Sequence, residues 1–255
     1  MVALLLNRSA DQTEDYYALR TGVSYNTQPW QWNNRLEYRD GRETDKWVVS
    51  SALYHPISDT LSTGASLDFF RSMAGSIYSQ QLDAMFDLAL RPQQARYAAL
   101  WQTRWLQTAD GGNHTPDRTR KLINNIHANW MFTSHDQLAG QYGLKRVLSQ
   151  YDGDDYAASI DYMAGEWRHH LTDRWDVGAH GRRLHSYEAG QSEHGTGFSL
   201  GWIPKTNVWL GVGYNFSGFI DSDFSAANYT AQGVFLKIRF KADQQSLAAM
   251  RSSFD

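Results

Sequence analysis

Apolar residues in this chain recur at every second position over segments of about ten residues, with polar or small residues between them. In 229–240, Val234, Leu236, Ile238 and Phe240 fall on one face and Gly233, Phe235, Lys237 and Arg239 on the other. A period of two is the signature of a strand with two unlike faces. The same alternation predicts fourteen strands, at about 2–7, 16–25, 30–39, 46–55, 60–70, 80–90, 96–107, 120–132, 137–149, 155–171, 174–187, 195–203, 207–217 and 229–240. Segments of ten residues exceed the ~5–6 of an average soluble strand and match a tilted strand that crosses a bilayer. The predicted fold is therefore all-β, a transmembrane antiparallel β-barrel of about fourteen strands, with twelve and sixteen as the neighbouring counts.

Tight clusters near Thr27–Pro29, His55–Asp59, Arg91–Gln94, Ser134–Asp136, Thr172–Arg174 and Pro204–Asn207 alternate with more polar, Gly-rich connections. The latter lie at Arg8–Asp15, Asp40–Asp45, Arg71–Ser79, Thr108–Arg118, Gln150–Asp155, Glu188–His194 and Ser217–Asn228. This is a hairpin rhythm of short periplasmic turns and longer extracellular loops, and an even strand count places both termini in the periplasm.

The outward face reads Leu19, Val23 and Tyr25; Leu67 and Phe69; Phe86; Trp101 and Trp105; Ile126 and Trp130; Tyr142 and Leu144; Leu210, Val212 and Phe216. Between 155 and 171 the apolar parity changes from even (Ile160, Tyr162, Ala164) to odd (Trp167, His169, Leu171), which predicts a β-bulge at Gly165–Glu166. Trp residues cluster near the short turns, as in an aromatic girdle at a membrane interface: Trp30, Trp130, Trp175 and Trp202, with Trp32, Trp167 and Trp209 nearby. The competing architecture is a soluble β-sandwich with Trp in its core.

The pattern Gly233-x-x-Leu236-x-Ile238-x-Phe240 resembles the closing-strand signal by which bacterial outer-membrane barrels are recognised for insertion. Together with Gly211–Phe219, Asp223–Ser225 and Tyr229–Gly233, it resembles more narrowly the C-terminal barrel of large, repeat-bearing surface proteins of Gram-negative bacteria. The resemblance implies a non-enzymatic barrel that anchors or translocates a larger surface protein or assembly. It also implies as partners outer-membrane lipid, the barrel-assembly machinery, and upstream domains of the same polypeptide or a surface or periplasmic complex. The signal normally ends a polypeptide, whereas Lys241–Asp255 follow here. The expected division is a barrel over 1–240 and a flexible periplasmic tail over 241–255, with any export signal cut away or upstream of Met1–Arg8.

Composition narrows the alternatives. The chain has 255 residues, no Cys, ten Trp and fourteen Tyr, which removes disulfide scaffolds and thiolate metal sites. A net charge of −3 offers no basic surface for nucleic acid. The mean hydropathy of −0.57 is low for a membrane protein, but a barrel shows lipid only every second residue.

Candidate chemistry is sparse, and neither a metal nor another cofactor is expected. His169 and His170 point to opposite faces and cannot chelate one ion. His180, His185 and His194, with Ser186 and Glu188 of the same hairpin, suggest a lipid hydrolase of Ser–His–acid type, yet Ser186 and His185 are strand neighbours on opposite faces and no Gly-x-Ser-x-Gly turn is present. Asp152–Asp155 lack calcium-loop spacing and read as a tight turn. The informative set is the inward charge: Arg20, Arg35, Arg39, Lys237 and Arg239 near the seam, Asp68, Asp83 and Asp87 a few strands on, and Arg104, Lys145 and Asp161 beyond. Such ions either pair and rigidify the interior or set a transverse field across a porin-like channel for small solutes, and pairing is the favoured reading.

The face assignment yields a stability test. Leu210→Arg or Leu236→Arg should cost about 2–4 kcal/mol by placing a charge in lipid near the midplane, and Gly211→Ser is expected to be mild. Equilibrium unfolding in lipid vesicles measures both, and equal losses would refute the assignment.

Overall fold

The computed structural model describes residues 2–5, 16–92, 95–112, 115–205, 207–219, 221, 223–224 and 232–240. Its strands are β1 (Val2–Leu5), β2 (Tyr16–Asn26), β3 (Gln31–Gly41), β4 (Asp45–Pro56), β5 (Leu61–Ala74), β6 (Ile77–Leu90), β7 (Tyr97–Gly111), β8 (Asp117–Met131), β9 (Asp136–Tyr151), β10 (Asp154–His170), β11 (Trp175–Ser186), β12 (Gln191–Lys205), β13 (Val208–Ser217) and β14 (Gly233–Phe240). They form one 14-stranded sheet in chain order, β1 through β14. The order ends on β1 and β14, and no ladder between these two is among the described pairings. No helix occurs among the described residues.

Each of the expected strands is present, and several run further than the apolar alternation does. β5 and β6 meet through Gly75 and Ser76 alone, where Arg71–Ser79 reads as a loop, and β9 meets β10 through Asp152 and Gly153. Asp152 at φ 51° and Gly153 at φ 88° are both left-handed, the twist a two-residue hairpin turn needs. The expected long loops on that side therefore contract to tight turns at these hairpins. Polar strand ends continue the hydrogen-bond ladder without needing an apolar face, so alternation alone ends a strand too soon. β14 is described from Gly233, and residues 229–231 of the expected strand lie outside the described residues; the Gly233 φ of 130° is open to glycine and strained for other residues. The 241–255 tail and the Arg8–Asp15 connection lie outside the described residues.

The two faces separate as the pattern requires. Leu19, Val23, Phe86, Trp101, Ile126, Leu144, Phe198, Val212, Leu236 and Ile238 are exposed, while Glu37, Lys145, Arg168, Asp176 and Asn215 are buried. A sheet with exposed Leu and buried Lys is inverted relative to a soluble protein and suited to a lipid-facing exterior. Trp30, Trp130, Trp175 and Trp202 are all exposed close to turn ends. Trp30 stacks on His55 at 3.9 Å, Trp130 tilts against Phe132 at 5.6 Å, and Trp175 stacks on Trp202 at 6.0 Å.

Two compact units make up the chain: Met1–His127 with Gly143–Asp161 and Ser186–Gly190, and Ala128–Tyr142 with Tyr162–His185 and Gln191–Asp255. One face assignment is corrected in the second. Tyr162 and Arg168 are buried while Met163 and Trp167 are exposed, so the alternation passes through Gly165–Glu166 unbroken and the expected bulge is not there. Tyr162 faces inward because Phe224 stacks on it at 5.0 Å and Phe219 meets it edge-on at 6.2 Å. Register irregularities occur in β12 instead, between Thr196 and Gly197 and between Trp202 and Lys205.

Candidate functional site on the inner face

The inward charges of the first unit are gathered by strand register. Arg20 lies opposite Glu37, and Arg35 and Arg39 flank Glu37 at two-residue spacing on β3, so all four side chains share one face. Glu37, only 2% exposed, accepts hydrogen bonds from Arg20 Nη2 and Arg39 Nε, both at 2.6 Å, and from Arg35 Nη2 at 3.2 Å. Three guanidiniums thus converge on one carboxylate. Glu37 is not among the inward charges read from the sequence, although the alternation Arg35-x-Glu37-x-Arg39 already places it between the arginines.

Further along, Asp68 and Asp83 face each other across β5 and β6. Arg104 grips Asp83 through two bonds of 2.8 and 2.5 Å, the bidentate geometry that makes such pairs strong. Gln102 donates to Asp87 at 2.8 Å. Asp68 is exposed and has no ion-pair partner among the described residues. Lys145 is buried. Asp161 is a correction: it alternates with the inward Tyr162, so it shares the outer face with Met163 and accepts a 3.3 Å bond from the Tyr187 hydroxyl.

At the β11–β12 turn, Glu188 accepts the Ser159 backbone N–H at 2.5 Å and the Ser159 hydroxyl at 3.0 Å, and it pairs with Arg146 Nη1 at 3.2 Å. The Ser159 N–H foremost, then the Ser159 hydroxyl and Arg146, hold its carboxyl below the usual glutamate range. Glu188 is thereby committed to a structural contact. In the second unit, His185 Nδ1 meets the Ser192 hydroxyl at 2.8 Å.

The second unit carries the densest inner-face cluster. Arg168 pairs with Asp176, and with Glu166 at 2.6 Å. The Trp209 indole N–H donates to Asp176 at 2.7 Å, and the guanidiniums of Arg168 and Arg239 each lie 4.8 Å from the Trp209 ring centre. Trp209 therefore belongs to the interior and not to the girdle. Its ring occupies the space over Gly211 that a side chain would need, so Gly211→Ser, expected to be mild, must displace the ring, and a loss there reports the Trp209 contact and not the face assignment. Lys237 shares the inward face of β14 with Arg239, opposite Gly211. Nearby, His180 Nε2 and Asn215 Oδ1 are 3.0 Å apart. Among the described residues, no group of three or more His, Asp and Glu side chains could hold a metal ion.

Neither a protein-family model nor a curated protein sequence matches this chain. Solved structures do. The siderophore receptor PirA from Acinetobacter baumannii matches over 90% of this chain and 48% of its own, at 9% identity with a TM-score of 0.63. The RagAB peptide transporter matches over 89% of this chain and 40% of its own, at 10% identity and a TM-score of 0.56. The unliganded ferric citrate transporter FecA matches over 81% of this chain and 42% of its own, at 8% identity and a TM-score of 0.54. The chain thus spans less than half the length of these proteins. The likeness concerns the fold, which is that of an outer-membrane antiparallel β-barrel.

The Glu37 clamp should be asymmetric to mutation. Glu37→Gln strands three cations and should cost about 2–3 kcal/mol, less than the ~3–5 kcal/mol of a fully buried pair because the guanidiniums keep access to water. Arg35→Gln should cost well under 1 kcal/mol, since Arg20 and Arg39 still hold Glu37; urea unfolding in lipid vesicles compares the two. At Glu188 the lowered carboxyl makes its contact complete above the ordinary glutamate range and lost as pH falls through the lowered value. Hydrogen exchange at the Ser159 amide should accelerate, relative to its intrinsic rate, on acidification through that window. Glu188→Gln should abolish the step.

Proposed function

We propose that this chain is a non-enzymatic outer-membrane barrel that anchors, or passes, a larger surface protein or assembly. The observation that carries this reading is that many of the inward charges are paired with one another. Arg20, Arg35 and Arg39 are bound to Glu37, Arg104 to Asp83, and Arg168 to Glu166 and Asp176. In the second unit Phe219 and Phe224 lie on Tyr162, so part of the segment joining β13 to β14 fills inner space. An interior cross-linked in this way acts as a rigid wall rather than as an open field for sorting ions. On this reading both termini are periplasmic, the partners are outer-membrane lipid, the barrel-assembly machinery and upstream domains of the same polypeptide, and nucleic acid is not a partner. The insertion signal would be read from Gly233, Leu236, Ile238 and Phe240, of which Leu236 and Ile238 are exposed.

One observation favours a porin-like channel for small solutes. Asp68 is exposed opposite Asp83, a local excess of negative charge that a cation-selective pore could use. Planar-bilayer recording separates the two. An anchor should conduct weakly or erratically, and changing Asp68, Asp83 and Asp87 together to Asn should leave the trace unaltered. A steady conductance whose cation preference disappears in that triple variant would replace the anchor with the channel.

A further inference from the structure

In the second unit a cavity of about 230 Å³ is lined by Asn129, Gln137, Ala139, Glu166, Arg168 and Arg239. These residues sit at the turn-side ends of β8, β9 and β10 and at the end of β14. Such a volume falls below the ~300–1,000 Å³ of drug-sized ligand sites, which limits an occupant to one small ring.

The two guanidiniums that line the cavity are not equivalent. Arg168 is buried and its donors go to Asp176 and Glu166. Arg239 rests on the opposite partner, the Trp209 ring, and has no carboxylate within ion-pair distance among the described residues. Trp209 cannot shift to follow it, because its N–H is fixed on Asp176. Arg239 is thus a positioned cation whose in-plane donors remain for a ligand. Lys237 lies on the same face of β14, so Arg168, Lys237 and Arg239 oppose Glu166 and Asp176 with one positive charge in excess. On the cavity's other wall, Gln137 Nε2 donates to Asn129 Oδ1 at 2.8 Å, which leaves the Gln137 carbonyl and the Asn129 amino group as acceptor and donors. Glu166 adds a carboxylate that Arg168 holds in place.

We propose that this cavity binds a small hydroxylated anion the size of one acidic sugar. Its carboxylate or phosphate group pairs with Arg239, and its hydroxyls bond to Asn129, Gln137 and Glu166. Binding here requires neither an open lumen nor a tethered surface domain, so it stands or falls apart from the anchor reading.

The test is calorimetric titration of the full chain, folded in detergent, with galacturonate, galactose and galactose 6-phosphate. Galacturonate should bind at one saturable site, and galactose at least about tenfold more weakly, the difference one charge-assisted contact makes. Arg239→Gln should weaken galacturonate binding by about tenfold or more, and Arg239→Lys should restore part of it. Asn129→Asp leaves the Arg239–Trp209 stack intact and introduces a repelling carboxylate, so it should lower affinity similarly even if the Arg239 variants fold poorly. Binding of galactose 6-phosphate in place of galacturonate keeps the site and makes phosphate its anion. Failure of both anions to bind saturably, equal binding of galactose, or unchanged affinity in both Arg239→Gln and Asn129→Asp overturns the proposal.

Discussion

Everything in this chain follows from a backbone whose hydrogen bonds are satisfied sideways, strand to strand. In hydrocarbon no water is present to satisfy an unpaired peptide group, so a spanning chain that is not helical must be a sheet. Once that is fixed, every second side chain meets lipid and the rest meet one another. The exposed Leu236 and Ile238 and the buried Lys145 and Asp176 are two expressions of one rule. Charges placed on the inner face then either keep water or find partners, and here many find partners on adjacent strands.

That pairing gives the interior a hierarchy. The Glu37 cluster and the Asp83–Arg104 pair are local to neighbouring strands of the first unit. The Arg168 cluster gathers residues from β10, β11, β13 and β14 onto one aromatic ring. Glycine makes this possible: bare backbone at Gly201 and Gly211 lets the Trp209 ring and the Asp176 carboxylate lie close to the wall. The cost of altering such a position is set by the neighbour that uses the space, not by the glycine's own contacts.

Strand number and most face assignments were legible in the sequence because period two is a local signal. The limits were equally physical. Arg71–Ser79 reads as a loop because polar residues at a strand's end need no apolar face, yet the ladder continues to Gly75 and Ser76. Tyr162 reads as lipid-facing because an aromatic on an apolar parity suits either environment, and only contact with the distant Phe219 and Phe224 decides it. Glu37 and the inward parity of Trp209 were readable from alternation and were missed. The bond from Trp209 to Asp176, spanning 33 residues of sequence, was not, because no local pattern encodes it.

The two-residue turn at Asp152–Gly153 has a consequence for how the chain assembles. It joins strands of 16 and 17 residues, the longest neighbours in the sheet, through a connection whose closure entropy is close to the minimum a hairpin can have. Each described ladder joins sequence neighbours, so these pairings form without waiting for remote segments to find each other. The β9–β10 hairpin is then the natural seed, and the sheet can grow from it in both directions one strand at a time. Its outermost strands would be the last to be ordered.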